Sequence, residues 1–431
     1  MTDTVRARPY TRRVVDDELD ELIDGGAAAI AIDGAKAVGK SATAAERAQT
    51  AFLLEDPLTL ELLEADPSRL VTGTTVLIDE WQRLPTTWDV VRRAVDAGAR
   101  PGQFLLTGSA SAQNQGTHSE AGRILKVRMR PMTLIERGIG PTTVSLADLL
   151  RGGRPAIVGE TPLGLSDYVV EIVRSGFPAI HLLGERVRRA QLRGYIERVI
   201  DRDIPDATGR TVRHPATLHR WLAAYAAATA TTTSLERIRD AATAGEDDKP
   251  ARTTTIAYRE ALESLYVLDP VPAWAPTINH IAQLAAAPKH HLVDPALAAA
   301  ALGLGVDALL SAQDGGVPLP RDGTFLGKLF ESLVTLDLRV FAQLSESTVG
   351  HLRTHRGDRE VDLIVERDDH RVVAFEVKLS ASVDDDDVRH LHWLHRTIGD
   401  NLLDAAVITT GRHAYRRTDG IAVVPAALLG P

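Results

Sequence analysis

The stretch Gly34-Ala35-Lys36-Ala37-Val38-Gly39-Lys40-Ser41 matches the pattern GxxxxGK[ST] and follows closely on the apolar run Ala27 to Ile32. A strand that runs into a glycine-rich turn and then a helix is the setting in which this pattern cradles phosphates. Glycines let backbone N–H groups face the anion, Lys40 reaches the β and γ oxygens of a triphosphate, and Ser41 offers a hydroxyl to Mg²⁺. The helix that the loop opens, through Ala42, adds an N-terminus that favours negative charge. The pattern therefore demands an α/β fold at this end of the chain and implies ATP with Mg²⁺ as its cofactors.

With 431 residues the chain is too long for one compact core and predicts two or three domains. A hydrophobic share of 44% beside 25% charged residues is that of a soluble globular protein. The absence of cysteine excludes disulfides and thiolate metal sites. The first residues are charged rather than apolar and no later run is long enough to span a bilayer, so the expectation is a cytoplasmic protein with no membrane partner. A net charge of −9 argues against a whole-molecule electrostatic grip on nucleic acid and leaves room for a local basic face. Arginine clusters twice, at Arg6, Arg8, Arg12 and Arg13 and at Arg186, Arg188, Arg189, Arg193 and Arg198. Taken singly, each cluster reads more readily as a solvated helix face than as a binding stripe.

A second apolar strand, Thr75 to Ile78, ends in Asp79-Glu80 about forty residues after the loop. Open α/β sheets place ligands at the carboxyl ends of their strands, which suits Asp79 to the Mg²⁺ shell and Glu80 to polarising a water. A further strand from Gly102 ends in Thr107-Gly108-Ser109. In ATPases of the AAA type, which this arrangement resembles, a polar residue at that strand end senses the γ-phosphate, which makes Thr107 the better candidate and Ser109 the second; a strand leaving through a polar turn is the alternative.

The order GAKAVGKS, VLIDEWQRLPTTWDVVRRAVD, GQFLLTGSAS and AGRILKVRMRPMTLIE resembles a prokaryotic family of AAA-type ATPases whose C-terminal half is a domain of unknown function. The similarity continues through SGFPAI at 175–180, YIERVIDRDI at 195–204, TTTIAYREALESLYVLDPVPAW at 253–274 and PKHHLVDPALAAAALG from Pro288, so it spans nearly the whole chain. Ala35 stands where the family commonly has proline and Ser41 where it commonly has threonine; neither change removes a needed group. In this alignment Arg123 falls at a position resembling an arginine finger, a group often supplied by a neighbouring subunit, which implies a homo-oligomer. The alternative is a surface arginine at the start of the strand Ile124 to Val127.

The middle of the chain reads as helical, and Thr253 to Tyr266 has apolar positions at helical spacing. A threonine cap with Arg252 and Arg259 nearby fits the second helix of a helix-turn-helix, with Val267 to Trp274 as the wing. His290 and His291 sit in a turn before a strand, without a second ligand pair.

Toward the C-terminus, Glu360-Val361-Asp362 alternates so that both carboxylates share a face, and Glu376-Val377-Lys378 does the same on the following strand. Two adjacent strands would thus converge carboxylates and a lysine, the groups that metal-dependent phosphodiester cleavage uses. The arrangement resembles the PD-(D/E)XK nuclease signature, with Glu331 on the preceding helix as the further acidic residue. The resemblance implies a second Mg²⁺ or Mn²⁺ held by Glu331, Asp362 and Glu376, with Lys378 assisting, and DNA or RNA as partner. A non-cleaving module that has kept these residues is the alternative. Asp384 to Asp387 reads as the cap of a helix.

The expected architecture is α/β: an AAA-type P-loop ATPase core over 1–140, a helical lid over 141–210, a winged-helix-like region over 211–275 and a PD-(D/E)XK nuclease-like domain over 276–431. The expected function is a Mg²⁺-dependent ATPase acting with nucleic acid, its nucleotide state coupled to the nuclease-like domain. The alternative is a non-cleaving switch or scaffold that binds a protein partner.

Overall fold

The computed structural model describes residues 10–108, 122–208, 212, 214–243, 250–276, 286–311, 323–354 and 357–431. Arg6, Arg8 and Ser109 lie outside the described residues. The chain divides into two compact units, Met1–Arg130 with Ala261–Val267, and Pro131–Glu260 with Leu268–Pro431. Among the described residues no helix is long and apolar enough to cross a membrane.

The first unit is built on five parallel strands: β1 (Ala29–Asp33), β2 (Thr50–Leu53), β3 (Val76–Asp79), β4 (Phe104–Gly108) and β5 (Leu125–Arg128), in the order β2-β3-β4-β1-β5. The central strands are continuous apolar runs, Ala29 to Ile32, Val76 to Ile78 and Phe104 to Leu106, all buried. That pattern belongs to parallel strands covered on both faces. Trp81 and Trp88, with ring centroids 4.5 Å apart, pack with Ile78, Leu106 and Val91 on one side of the sheet. The register sets Thr107 beside Ile32 on one neighbour and beside Asp79 on the other. The polar ends of three strands thereby meet at one edge of the sheet, directly before the glycine-rich loop.

The second unit carries a seven-stranded mixed sheet. Its strands are β7 (Gly159–Glu160), β8 (Thr348–Arg353), β9 (Glu360–Glu366), β10 (Val372–Lys378), β11 (Leu402–Thr409), β12 (His413–Arg416) and β13 (Ala422–Pro425), in the order β7-β12-β13-β11-β10-β9-β8. A separate parallel pair joins β6 (Val144–Ser145) to β14 (Leu429–Gly430). The long helix Gly323–Leu344 leads into the antiparallel run β8-β9-β10, and helix Asp385–Ile398 then crosses to β11, which pairs in parallel with β10. Asp384 caps that helix by accepting the N–H groups of Asp386 and Asp387, as the acidic run predicts.

The helices Pro215–Ala227, Leu235–Ala242 and Arg252–Ser264 precede the segment expected to be a wing. In that segment Leu268 and Val271 bridge to Leu292 and Lys289, while the Trp274 N–H donates to the His351 carbonyl at 2.6 Å. The segment thus covers the outer edge of β8, whose ladder would otherwise be unpaired.

Asp337, on the long helix, is 2% exposed and accepts the Leu134 N–H at 3.2 Å. Burial pushes its carboxyl up to about 8, against the attraction of Arg137 and with a smaller upward push from Glu136. A carboxyl whose folded value exceeds its unfolded one holds its proton in the fold where the unfolded chain releases it. Stability at this site therefore falls as pH rises from the ordinary value of 3.8 toward about 8. Asp337→Asn keeps the acceptor and lacks the charge. Its thermal midpoint should exceed that of the parent at pH 8 by on the order of 2–4 °C per kcal/mol recovered, with a smaller gain at pH 5. A midpoint at pH 8 equal to or below the parent's would refute this.

Candidate functional site

The glycine-rich loop is shaped by three residues. A Cβ at Gly34 would lie 2.2 Å from the Met129 carbonyl oxygen, so no side chain fits there. Gly39 has φ 109°, and Ala37 takes φ 67° at the exposed tip. For a residue with a Cβ this left-handed conformation costs roughly 1–2 kcal/mol, which the surrounding loop must sustain. Ala35 and Val38 are fully buried, while Lys36 is half-buried. Lys40 and Ala42 begin the short helix Lys40–Ala45.

Lys40 is 6% exposed and its ammonium donates to the carbonyls of Gly34 at 2.9 Å and Ala35 at 3.0 Å. Burial lowers it to about 8, while Glu80, Asp79 and Asp33 pull the other way. The Ser41 hydroxyl donates to Asp79 Oδ1 at 2.6 Å, and the Thr107 hydroxyl donates to the same oxygen. Glu80 follows with φ 55°, and its carboxylate accepts from the Gln82 amide. The structure thus brings Lys40, Ser41, Asp79, Glu80 and Thr107 to one sheet edge. This donor set fits a metal-bound triphosphate: a hydroxyl and a carboxylate in contact for the Mg²⁺ shell, and an ammonium within the loop for the phosphates.

Three further residues join this edge that sequence reasoning did not single out. Arg13, only 4% exposed, donates to the Val38 carbonyl at 3.0 Å and the Arg130 carbonyl at 2.9 Å, clamping the loop from below. Its neighbour Arg12 is 62% exposed and pairs with Asp17 and Asp20, so the N-terminal arginine cluster splits into one solvated and one buried member. Tyr266, at φ 59°, hydrogen-bonds Asp33, and the Arg128 guanidinium stacks 4.4 Å from its ring. Arg123 is elsewhere. It precedes Leu125, which pairs with Ile30, so it lies toward the opposite edge from the loop, and it pairs with Asp96 at 2.6 Å.

In the second unit, β9 and β10 set Asp362 beside Glu376, and Asp362 Oδ2 accepts the Val377 N–H at 3.0 Å. Lys378 reaches Glu376 at 3.6 Å and Asp387 at 3.9 Å. The residue at the centre is Lys289, 1% exposed, whose ammonium lies 2.7 Å from Glu331, 3.0 Å from Asp362 and 3.2 Å from Glu360. Burial and the Asp362 charge push Glu331 up to about 8. Against the upward push of burial, the Lys289 charge keeps Asp362 below the ordinary carboxylate value, whereas burial and Asp362 drive Glu376 well above it.

This donor set does not fit the second Mg²⁺ or Mn²⁺ expected at Glu331, Asp362 and Glu376. Two of the three carboxylates give oxygens to an ammonium at hydrogen-bond distance, where a divalent ion would need them converging at about 2.0–2.6 Å. Among the described residues no group of three or more metal-ligating side chains is arranged to hold a metal ion. Lys289 carried no signal in the sequence beyond its place before two histidines.

Residues 27–137 match a family described as an AAA domain, and residues 165–308 and 326–429 match two separate domains of unknown function. The match to the AAA domain spans the five strands of the first unit and the glycine-rich loop. Uncharacterized proteins of Mycobacterium tuberculosis and Mycobacterium bovis are each 28% identical over 404 residues, covering 90% of this chain and 76% of the relative. A Walker-type ATPase of Pyrococcus abyssi aligns over 68% of this chain and 98% of its own, at 15% identity and a TM-score of 0.40.

Charge-assisted hydrogen bonds of the kind Arg13 makes contribute about 1.5–3 kcal/mol each, so losing the clamp should loosen the loop. Arg13→Ala is expected to weaken Mg·ATP binding roughly tenfold in a fluorescent-nucleotide titration, the equivalent of about 1.4 kcal/mol. Arg12→Ala should bind as the parent does. Equal affinities for the two variants would remove the clamp role.

Proposed function

We propose that the chain is a cytoplasmic Mg²⁺-dependent ATPase that acts with nucleic acid and whose nucleotide state is coupled to its C-terminal α/β domain. The observation that carries the hydrolytic reading is the Asp79 carboxylate, shared by the Ser41 and Thr107 hydroxyls beside the Lys40 loop. Gly34 to Ala42 would wrap the phosphates, Lys40 would neutralise their charge, and Ser41 with Asp79 would hold the Mg²⁺ that completes the substrate. Glu80, held by Gln82, is suited to orient and polarise the attacking water, and Thr107 to report the γ-phosphate. Arg123 faces the other edge of its own sheet, so a finger role requires a second copy of the chain, supplied in a homo-oligomer.

Coupling is supported by chain connectivity. Residues 261–267 belong to the first unit and are joined at both ends to segments of the second. Within that stretch Tyr266 touches Asp33, the residue before the loop. The proposed division remains an ATPase core over 1–140, a helical lid over 141–210, a winged-helix-like region over 211–275 and a nuclease-like domain over 276–431. The nuclease-like reading draws support from a helix, three antiparallel strands, a crossing helix and a parallel strand in sequence, with Asp362, Glu376 and Lys378 on adjacent strands.

Lys289 favours the second reading, in which the C-terminal domain holds a nucleic acid or protein partner without cleaving. Its ammonium occupies carboxylate oxygens that cleavage would assign to a metal. ATP turnover measured with single-stranded DNA, duplex DNA and RNA should be stimulated by one polymer and abolished in Lys40→Ala. Turnover indifferent to all three points to a protein partner, and full turnover in Lys40→Ala overturns the ATPase. In the same samples, nicking with Mg²⁺ or Mn²⁺ that disappears in Asp362→Ala would rule out the non-cleaving reading.

A further inference from the structure

The second unit contains a cleft between the helices Glu185–Arg198 and Pro295–Ala301 and the turn Gly303 to Val306. Three guanidinium groups line it, those of Arg188, Arg189 and Arg193, together with the carboxylate of Glu185. Arg189 pairs with Glu185 at 3.3 Å, and both are more than half exposed. Arg188 differs. It is 8% exposed, and its Nη1 is buried without a hydrogen-bond partner among the described residues.

A buried guanidinium with unfilled donors is destabilising, because it has given up water without gaining an acceptor. Such a group persists where function requires it, at the expense of stability. Three guanidinium charges against one carboxylate leave a surplus of two at the cleft. A phosphate dianion, or two neighbouring phosphodiester groups, matches that surplus better than a single carboxylate, and the planar fork of arginine suits phosphate oxygens. Apolar side chains of Leu192, Ala296 and Leu304 complete the lining.

We propose that this cleft is a phosphate-binding site, distinct from the glycine-rich loop, with Arg188 as its central ligand. The site takes a phosphate group whether it is free or carried on a nucleic-acid backbone, and it does not depend on the reading of the loop as hydrolytic. In sequence it lies in the second arginine cluster, whose other members mask Arg188 because they face solvent.

The test is calorimetric titration of inorganic pyrophosphate into the full chain carrying Lys40→Ala, which removes the loop's lysine from the measurement, with and without Arg188→Met. Pyrophosphate should bind the first protein and bind the Arg188→Met protein about tenfold or more weakly. The thermal midpoint of the unliganded Arg188→Met protein should equal or exceed its parent's, because a buried donor without an acceptor has been removed; an arginine with a purely structural role would show a fall. Competition by a single-stranded oligonucleotide assigns the phosphate to nucleic acid, and its failure to compete assigns it to a small ligand. Equal pyrophosphate affinity in the two proteins, or no binding to either, overturns the proposal. Should Arg188→Met fail to fold, Arg188→Lys, which keeps the charge without the fork, is read by the same affinity criterion.

Discussion

One carboxylate oxygen organises the nucleotide edge of the first unit. Asp79 Oδ1 accepts hydroxyl protons from Ser41, at the start of the helix after the loop, and from Thr107, at the end of the neighbouring strand. It thereby ties together three chain segments that are far apart in sequence. The tie works because the parallel register sets Asp79 and Thr107 opposite each other and Thr107 beside Ile32. Shifting any of these strands by one residue would turn its polar end toward the apolar layer.

Much of this edge was legible in the sequence because its signals are local. A glycine-lysine-serine loop after an apolar run, an acidic pair ending one strand and a threonine ending another each announce themselves within a few residues. Arg13 and Tyr266 did not, because their roles depend on long-range packing. Arg13 sits in an arginine-rich stretch beside Arg12, which does face solvent, and only the fold separates the buried one from the exposed one. Tyr266 comes from a segment more than a hundred residues downstream, and its contact with Asp33 has no counterpart in periodicity or spacing.

The C-terminal cluster teaches a related lesson. Strand alternation correctly puts Asp362 and Glu376 on neighbouring strands, and Glu331 on the preceding helix joins them through Lys289. The sequence pattern of acidic groups and Lys378 leaves out that central cation, since Lys289 arrives from a segment bridged to Val271, outside both strands and the helix. Three carboxylates share one buried ammonium: removing the cation would leave uncompensated buried negative charge, which is strongly destabilising. The same residue types that suggest metal chemistry in one dimension make an internal ion cluster in three.

The claim on which the account rests is that Asp79 serves the metal of a bound nucleotide as well as the architecture of the edge. It is tested most directly by measuring ATP affinity with and without Mg²⁺ in the parent and in Asp79→Asn, which can still accept the two hydroxyl hydrogen bonds. The account predicts that Mg²⁺ strengthens ATP binding in the parent, and that Asp79→Asn binds metal-free ATP as well as the parent but gains little from Mg²⁺. An Mg²⁺-dependent gain of the same size in both proteins would contradict it.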